Sequence, residues 1–210
     1  MRPPPEQTLE WNDDGVGGAQ RFLKRLWTYC QDQKSFITEG KAQLNSDWLI
    51  DGVELNEESQ EARHSIHSIL EKALIDFDKN QFNTVIAACM TILNHLPTGD
   101  KNIAAPVAAE GISILLRLLS PIAPHICHSL WNELADQDIL AAPWPKVDSS
   151  ALTLSSIELV VQVNGKVRAK IKMAADTDKA ILESTALAHE NVQKFIEDKT
   201  EIEILAIGIG

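Results

Sequence analysis

Two clusters of cations are the residues whose types and spacing could do chemistry. Lys166, Arg168, Lys170 and Lys172 take every second position of a stretch whose other positions are Val167, Ala169, Ile171 and Met173. In a strand, side chains two apart share a face, so these cations would repeat at about 6.6–6.8 Å. Such a row can track the phosphates of a nucleic acid. The alternative is a lysine-rich edge that keeps sheets from pairing. Arg21, Lys24 and Arg25 have no acid between them and fall, with Thr28, on one face of a helix. That stripe is either a second phosphate-binding surface or a solvated helix face. His64 and His67 lie three apart and off the apolar stripe of their helix; no further ligand is evident, so they read as exposed histidines. His125, Cys127 and His128 also invite a metal reading. No Ser/His/Asp set and no paired carboxylates rise above chance spacing. Gly15-Val16-Gly17-Gly18 is too short for a phosphate loop and follows no strand.

Apolar periodicity gives the elements that must position these groups. Residues 1–14 are Pro-rich and polar, an extended entry with Trp11 as a packed anchor. A helix is expected from Gly15 to Gln33, with Ala19, Phe22, Leu23, Leu26, Trp27 and Cys30 inward. Residues 34–56 read as irregular, docked by Trp48, Leu49 and Ile50. Helices follow over Glu57 to Lys79, Phe82 to Leu96 and Asn102 to Ser120, the last two separated by a turn at Pro97-Thr98-Gly99-Asp100. Pro121 and Pro124 break the pattern because proline lacks the N–H of an interior turn. Pro124 suits the first turn of a new helix, which carries Ile126, Leu130 and Leu134 as a stripe and Trp131 toward the core.

The chain then changes character. Ala142-Pro143-Trp144-Pro145 is held extended by its prolines, and residues 146–156 read as a linker. From Ile157 the apolar period is two, and Asn164-Gly165 is a hairpin turn. A two-residue turn would put Val163 on the face of Lys166. A bulge or a three-residue loop is therefore expected, aligning Val163 with Val167 and Val161 with Ala169. A helix opening at Asp176-Thr177-Asp178, with a restart at His189, and a strand from Thr200 to Ile209 complete β-β-α-β. The fold class is α+β: an antiparallel bundle of roughly five helices over residues 15–145, then a small domain over 157–210.

Length and composition agree with that division. The chain has 210 residues, room for one large or two smaller domains with real cores. No apolar run reaches the roughly 18 residues of a membrane span, and no secretory leader is visible in Met1-Arg2-Pro3-Pro4-Pro5-Glu6. Cys30, Cys89 and Cys127 are far apart and odd in number, which speaks against a zinc knuckle or a disulfide framework and fits a reducing cytoplasm. The net charge of −11 counts against a free-standing nonspecific RNA binder. It leaves room for local basic stripes.

Particular strings narrow the reading. Leu119-Ser120-Pro121-Ile122-Ala123-Pro124-His125, followed by Ser129-Leu130-Trp131, resembles the anticodon-binding bundle of class I aminoacyl-tRNA synthetases. Ala142-Pro143-Trp144-Pro145 is similar to that family's exit from the bundle. The strings from Glu6 to Trp11, from Gly15 to Trp27 and from Val160 to Lys170 look like the leucine-specific, bacterial-type members, as does Gln81-Phe82-Asn83-Thr84. These blocks span nearly the whole chain in family order.

The resemblance implies a chain that begins just after a catalytic core and an editing insertion. A class I enzyme uses ATP and Mg through a His-Ile-Gly-His-type motif and a Lys-Met-Ser-Lys-Ser-type loop, and neither string occurs here. The implied role is therefore to hold leucine tRNA for the catalytic part of the same cytoplasmic synthetase, with no cofactor, catalytic residue or metal in this chain. The bundle would lie along the inner side of the tRNA, with Arg21, Lys24 and Arg25 beside it. The small domain, with Lys166, Arg168, Lys170 and Lys172, would lie at the outer corner. Contacts to backbone and shape should dominate. The resemblance also makes Pro124-His125 a structural feature, with His125 expected to bond the helix end. One departure is the C-terminal stretch from Thr200 to Gly210, which lacks the family's proline and lysine and brings Glu201 and Glu203 there. Two rivals stay open: the tail of another class I synthetase, and a non-catalytic helical module whose partner is a protein. An isoleucyl tail would often show zinc-binding cysteine pairs and a valyl tail a long coiled coil; this chain shows neither.

Overall fold

The structure, a computed structural model, describes residues 13–99, 103–135, 137–153, 156–163, 166–174, 177, 179–196 and 204–208. The entry segment with Trp11, the Asn164-Gly165 turn, the helix start at Asp176 and Asp178, and Glu201 and Glu203 lie outside the described residues. The chain divides into two compact units, Met1–Thr153 and Leu154–Gly210.

The first unit is helical: α1 (Asp13–Asp32), α2 (Lys34–Lys41), α3 (Glu57–Asp78), α4 (Phe82–His95), α5 (Ala105–Leu119), α6 (Pro124–Leu134) and a short α7 (Ser149–Leu152). Every residue of α5 is buried. A helix that is apolar nearly all round belongs at the centre of a bundle, and α2, α3, α4 and α6 all pack on α5. It starts at Ala105 because Ala104 is extended and Pro106 sits in the first turn, where no N–H is needed. Around it, Leu26, Leu70, Val85, Cys89, Ile92, Leu130 and Trp131 fill the core. Asn56 caps α3 by accepting from the Ser59 N–H at 2.9 Å.

Two expectations fail in this unit. Ala19 and Trp27, expected on the inward stripe of α1, are both exposed, Trp27 by 40%. Burial there narrows to Phe22, Leu26 and Cys30, because the bundle covers only one side of the helix. Residues 34–56 were read as irregular, but Lys34–Lys41 forms α2. Its Gly40 is buried against the start of α5, and its buried Ile37 lies beside Ala109, Ile112 and Trp131. A Cβ on Gly40 would overlap the Ala105 carbonyl, so only glycine allows this approach. The rest of the loop docks as expected. The Asn45 carboxamide accepts from the N–H groups of Asp47 and Leu49 at 2.9 and 3.1 Å. That turn holds Trp48 at φ 65° with its ring 4.5 Å from Trp131.

A polar seam crosses the core. Glu110, 1% exposed, accepts from Arg63 Nε at 2.7 Å, Arg63 Nη2 at 2.9 Å and the Ile50 N–H at 3.0 Å. Arg63 also reaches Asp148 at 2.6 Å. His67, read as exposed, is fully buried beside this pair. Its Nδ1 accepts from the Asp148 N–H at 3.2 Å, and Nε2 lies 3.4 Å from Glu110 without hydrogen-bond alignment. Arg117, one turn further along α5 from Ser113, donates to the Pro143 carbonyl at 2.8 Å. Through these bonds the stretch read as a linker, 146–156, belongs to the first unit as far as Thr153.

The second unit contains β1 (Ser156–Val163), β2 (Lys166–Ala174), α8 (Lys179–Ala188), α9 (Glu190–Ile196) and β3 (Ile204–Gly208). The strands are antiparallel in the order β2-β1-β3. Val161, Ala169, Ala186 and Val192 form its core. Val161 pairs with Ala169 as expected, but Val163 pairs with Lys166 rather than Val167. The register shift falls inside the strand pair, between Val161 and Gln162, instead of at the turn.

Candidate nucleic-acid interface

The cations of α1 face a groove. At about 100° per residue, Arg21, Lys24, Arg25 and Thr28 lie on the side of α1 away from Phe22, Leu26 and Cys30. They rim an open groove of about 490 Å³ between α1 and the turn joining α4 to α5, with Tyr29, Leu93 and Thr98 also lining it. α1 and Gln33, the residue after it, fix the opposite wall. The Tyr29 hydroxyl donates to the Pro97 carbonyl at 2.6 Å, and the Gly99 N–H donates to the Gln33 carboxamide at 2.8 Å. Burial, with the nearby Cys30, pushes the Tyr29 hydroxyl above its ordinary range, so it stays a donor.

The groove carries a net positive charge, three cations against one acid, Asp32. Among the described residues, Arg21, Lys24 and Arg25 have no acid within ion-pair distance, whereas Lys34 is paired to Glu133 at 3.1 Å. Asp32 is the acid among the lining residues. Arg25 Nη2 donates to Asn94 Oδ1 of α4 at 2.6 Å. The Arg21 guanidinium lies back along α1, 3.4 Å from where a Cβ on Gly17 would stand. An arginine fork held open to solvent in this way matches the geometry of phosphate oxygens.

The second cluster lies on β2, an edge of the described sheet. Lys172 is in register with Glu158, Lys170 with Val160 and Lys166 with Val163, while Arg168 falls at the register shift. The alternation of the four cations is therefore interrupted at Arg168: backbone positions Lys170 and Lys172 keep one phase, and Lys166 falls in the other. The extra residue sits there because two constraints differ by one, the pairing of Val161 with Ala169 and the pairing of Val163 with Lys166.

The remaining candidates are used elsewhere. His64 Nδ1 lies 3.1 Å from the Ala151 carbonyl, and His67 belongs to the seam around Glu110. Cys127 is fully buried while His125 and His128 are exposed, so the three do not converge. Among the described residues, His125 makes no bond to the helix end, contrary to expectation. Burial pushes the thiols of Cys30, Cys89 and Cys127 up to about 12, with lesser contributions at Cys30 from Cys127 and Glu133, and all three stay protonated and inert. Asn94 and Thr98, which the sequence reading did not single out, lie beside the α1 cations. Asn94 lies 69 residues from Arg25, so no local spacing links them. The available signal was an amide at the end of α4, directly after the apolar pair Ile92-Leu93.

Residues 59–183 match the family described as the anticodon-binding domain of tRNA ligase. The chain belongs to the anticodon-binding domain family of tRNA ligases. The match to this family reaches from α3 into α8, across most of both units. Leucine–tRNA ligase of Aromatoleum aromaticum is 43% identical over 208 residues, 97% of this chain and 24% of that protein. The same enzyme of Coxiella burnetii is 45% identical over 210 residues, 97% of this chain and 25% of that protein. The anticodon-binding chain thus spans about a quarter of the length of these relatives. A crystal structure of the Agrobacterium radiobacter LeuRS–tRNA–LeuAMS ternary complex matches with a TM-score of 0.72 at 26% identity. That match covers 91% of this chain and 24% of the other. No helix among the described residues is long and apolar enough to cross a membrane.

Proposed function

We propose that this chain is the tRNA-holding C-terminal portion of a cytoplasmic leucine–tRNA ligase. The observation that carries the reading is the convergence of Arg21, Lys24 and Arg25, all without acidic partners among the described residues, on one open groove of the anticodon-binding bundle. In a chain of net charge −11, three neighbouring cations left unpaired need a reason, and phosphate supplies one. The structural neighbour is itself a complex with tRNA. On this reading leucine tRNA lies along the α1 groove, and residues 154–210 form a small α/β tRNA-binding domain. Its β2 strand offers Lys170 and Lys172, which share one phase, and Arg168 at the register shift to the tRNA backbone, while Lys166 falls in the other phase. The partner is the catalytic part of the same synthetase, which supplies the ATP and Mg chemistry and the aminoacylation step. No residue of this chain is assigned to catalysis.

A gel shift tests the reading. The 210-residue chain should retain a leucine tRNA transcript more strongly than a non-cognate transcript, at low and at moderate salt. Arg21→Ala/Lys24→Ala/Arg25→Ala should weaken retention and make the log–log salt dependence shallower by about one unit per lost phosphate contact. Arg168→Ala/Lys170→Ala should do the same if β2 touches backbone. An unchanged slope in that folded double variant, with lowered solubility, would assign β2 to edge protection instead. Equal, salt-insensitive behaviour of both transcripts would favour the protein-partner reading.

A further inference from the structure

We propose that Asn94 is a positioning residue of the RNA site, holding the Arg25 guanidinium over the α1 groove; this rests on the tRNA reading above. Arg25 comes from α1 and Asn94 from the last turn of α4, and their side chains meet at 2.6 Å. Both are exposed, so the bond is not a by-product of packing. A guanidinium has five N–H donors in a fixed fork. Asn94 takes one on Nη2, leaving the others for a ligand.

The type of residue at 94 is informative. The chain has 30 acids against 19 Lys and Arg, so an acid would be the commoner neighbour for an arginine. An aspartate there would orient Arg25 and also cancel its charge. The amide orients it and leaves the charge whole. An arginine restrained before binding loses less rotamer freedom when it meets a phosphate. The other wall of the groove is restrained in the same manner, by Tyr29 on Pro97 and Gln33 on Gly99. The groove is therefore set in shape before RNA arrives.

The experiment is filter binding of a leucine tRNA transcript to the full chain across a salt series. Asn94→Ala should weaken binding about three- to ten-fold with the salt slope unchanged, because no charge is lost. Arg25→Ala should weaken binding and lower the slope by about one unit. The double variant should bind no more weakly than Arg25→Ala, since Asn94 acts through Arg25. Asn94→Asp should lower the slope like Arg25→Ala while leaving the thermal midpoint intact. Wild-type affinity in Asn94→Ala beside a weakened Arg25→Ala, or two losses that multiply in the double variant, overturns the proposal and leaves the tRNA reading standing. Wild-type affinity and slope in the Arg21→Ala/Lys24→Ala/Arg25→Ala variant removes both.

Discussion

Glu110 shows how much a single side chain can decide. It lies in an otherwise apolar stretch of α5, and burial alone would raise its carboxyl. The neighbouring His67 and Arg63 outweigh that and hold it below its ordinary value. Asp148 is lowered as well: partial burial works against it, and Ser150 and Arg63 prevail. Replacing Glu110 by glutamine removes one partner of a buried ion pair, which costs about 3–5 kcal/mol. Urea unfolding at pH 7 should read that loss. The pH dependence has a definite sign. A carboxyl with a lowered folded value stabilises fully above its ordinary value, 4.5 for Glu110 and 3.8 for Asp148, and less as pH falls through the lowered one. The wild-type chain should therefore lose stability as pH falls below about 4, and Glu110→Gln should lose less over the same interval. The signal for this seam was present in the sequence. Glu110, Ser113 and Arg117 share one face of α5, and Arg63 and His67 share one face of α3. Apolar stripes carry no trace of polar residues that are buried because they satisfy one another, which is why the stripe of α3 points His67 outward.

At the scale of elements, the long helices were legible because their apolar residues recur on one face, and α3, α4 and α6 begin and end within a residue or two of expectation. α2 was not. Lys34-Ser35-Phe36-Ile37-Thr38-Glu39-Gly40-Lys41 has two large apolar residues, too few for a period to show. Short helices owe their stability to tertiary packing rather than propensity, and here that packing is Gly40 on the start of α5 and Ile37 beside Ala109 and Ile112 further along it. Gly40→Ala tests the point directly. In an isolated helix alanine would be favoured by about 1 kcal/mol. Against the Ala105 backbone it must push α2 away, with a net loss of about 1–3 kcal/mol. A lowered thermal midpoint in Gly40→Ala confirms that packing holds α2; a raised one would mean the contact yields freely. In β2 the alternation was legible, but the place of the bulge was not. Which residue is left over depends on the two pairings on either side of it, of Val161 with Ala169 and Val163 with Lys166.

At the scale of the whole molecule, the proposed tRNA-holding role requires a chain that captures RNA locally although it carries an acidic excess. At about 0.1 M salt, charge acts over roughly 10 Å, so the α1 groove can attract a phosphate although the chain carries −11 overall. Capture without chemistry is then the expected behaviour of the isolated chain, because both nucleotide-binding strings of class I enzymes are missing from it. Purified chain should give no leucine-dependent exchange of pyrophosphate into ATP. Added in excess to a full-length leucine–tRNA ligase, it should inhibit aminoacylation by occupying tRNA, and more tRNA should relieve the inhibition. Arg21→Ala/Lys24→Ala/Arg25→Ala should inhibit less, in proportion to its weakened binding. Exchange activity in the purified chain would show a catalytic site that the sequence does not reveal. Inhibition that tRNA fails to relieve would point to the chain binding the synthetase itself, through a protein surface rather than through the groove.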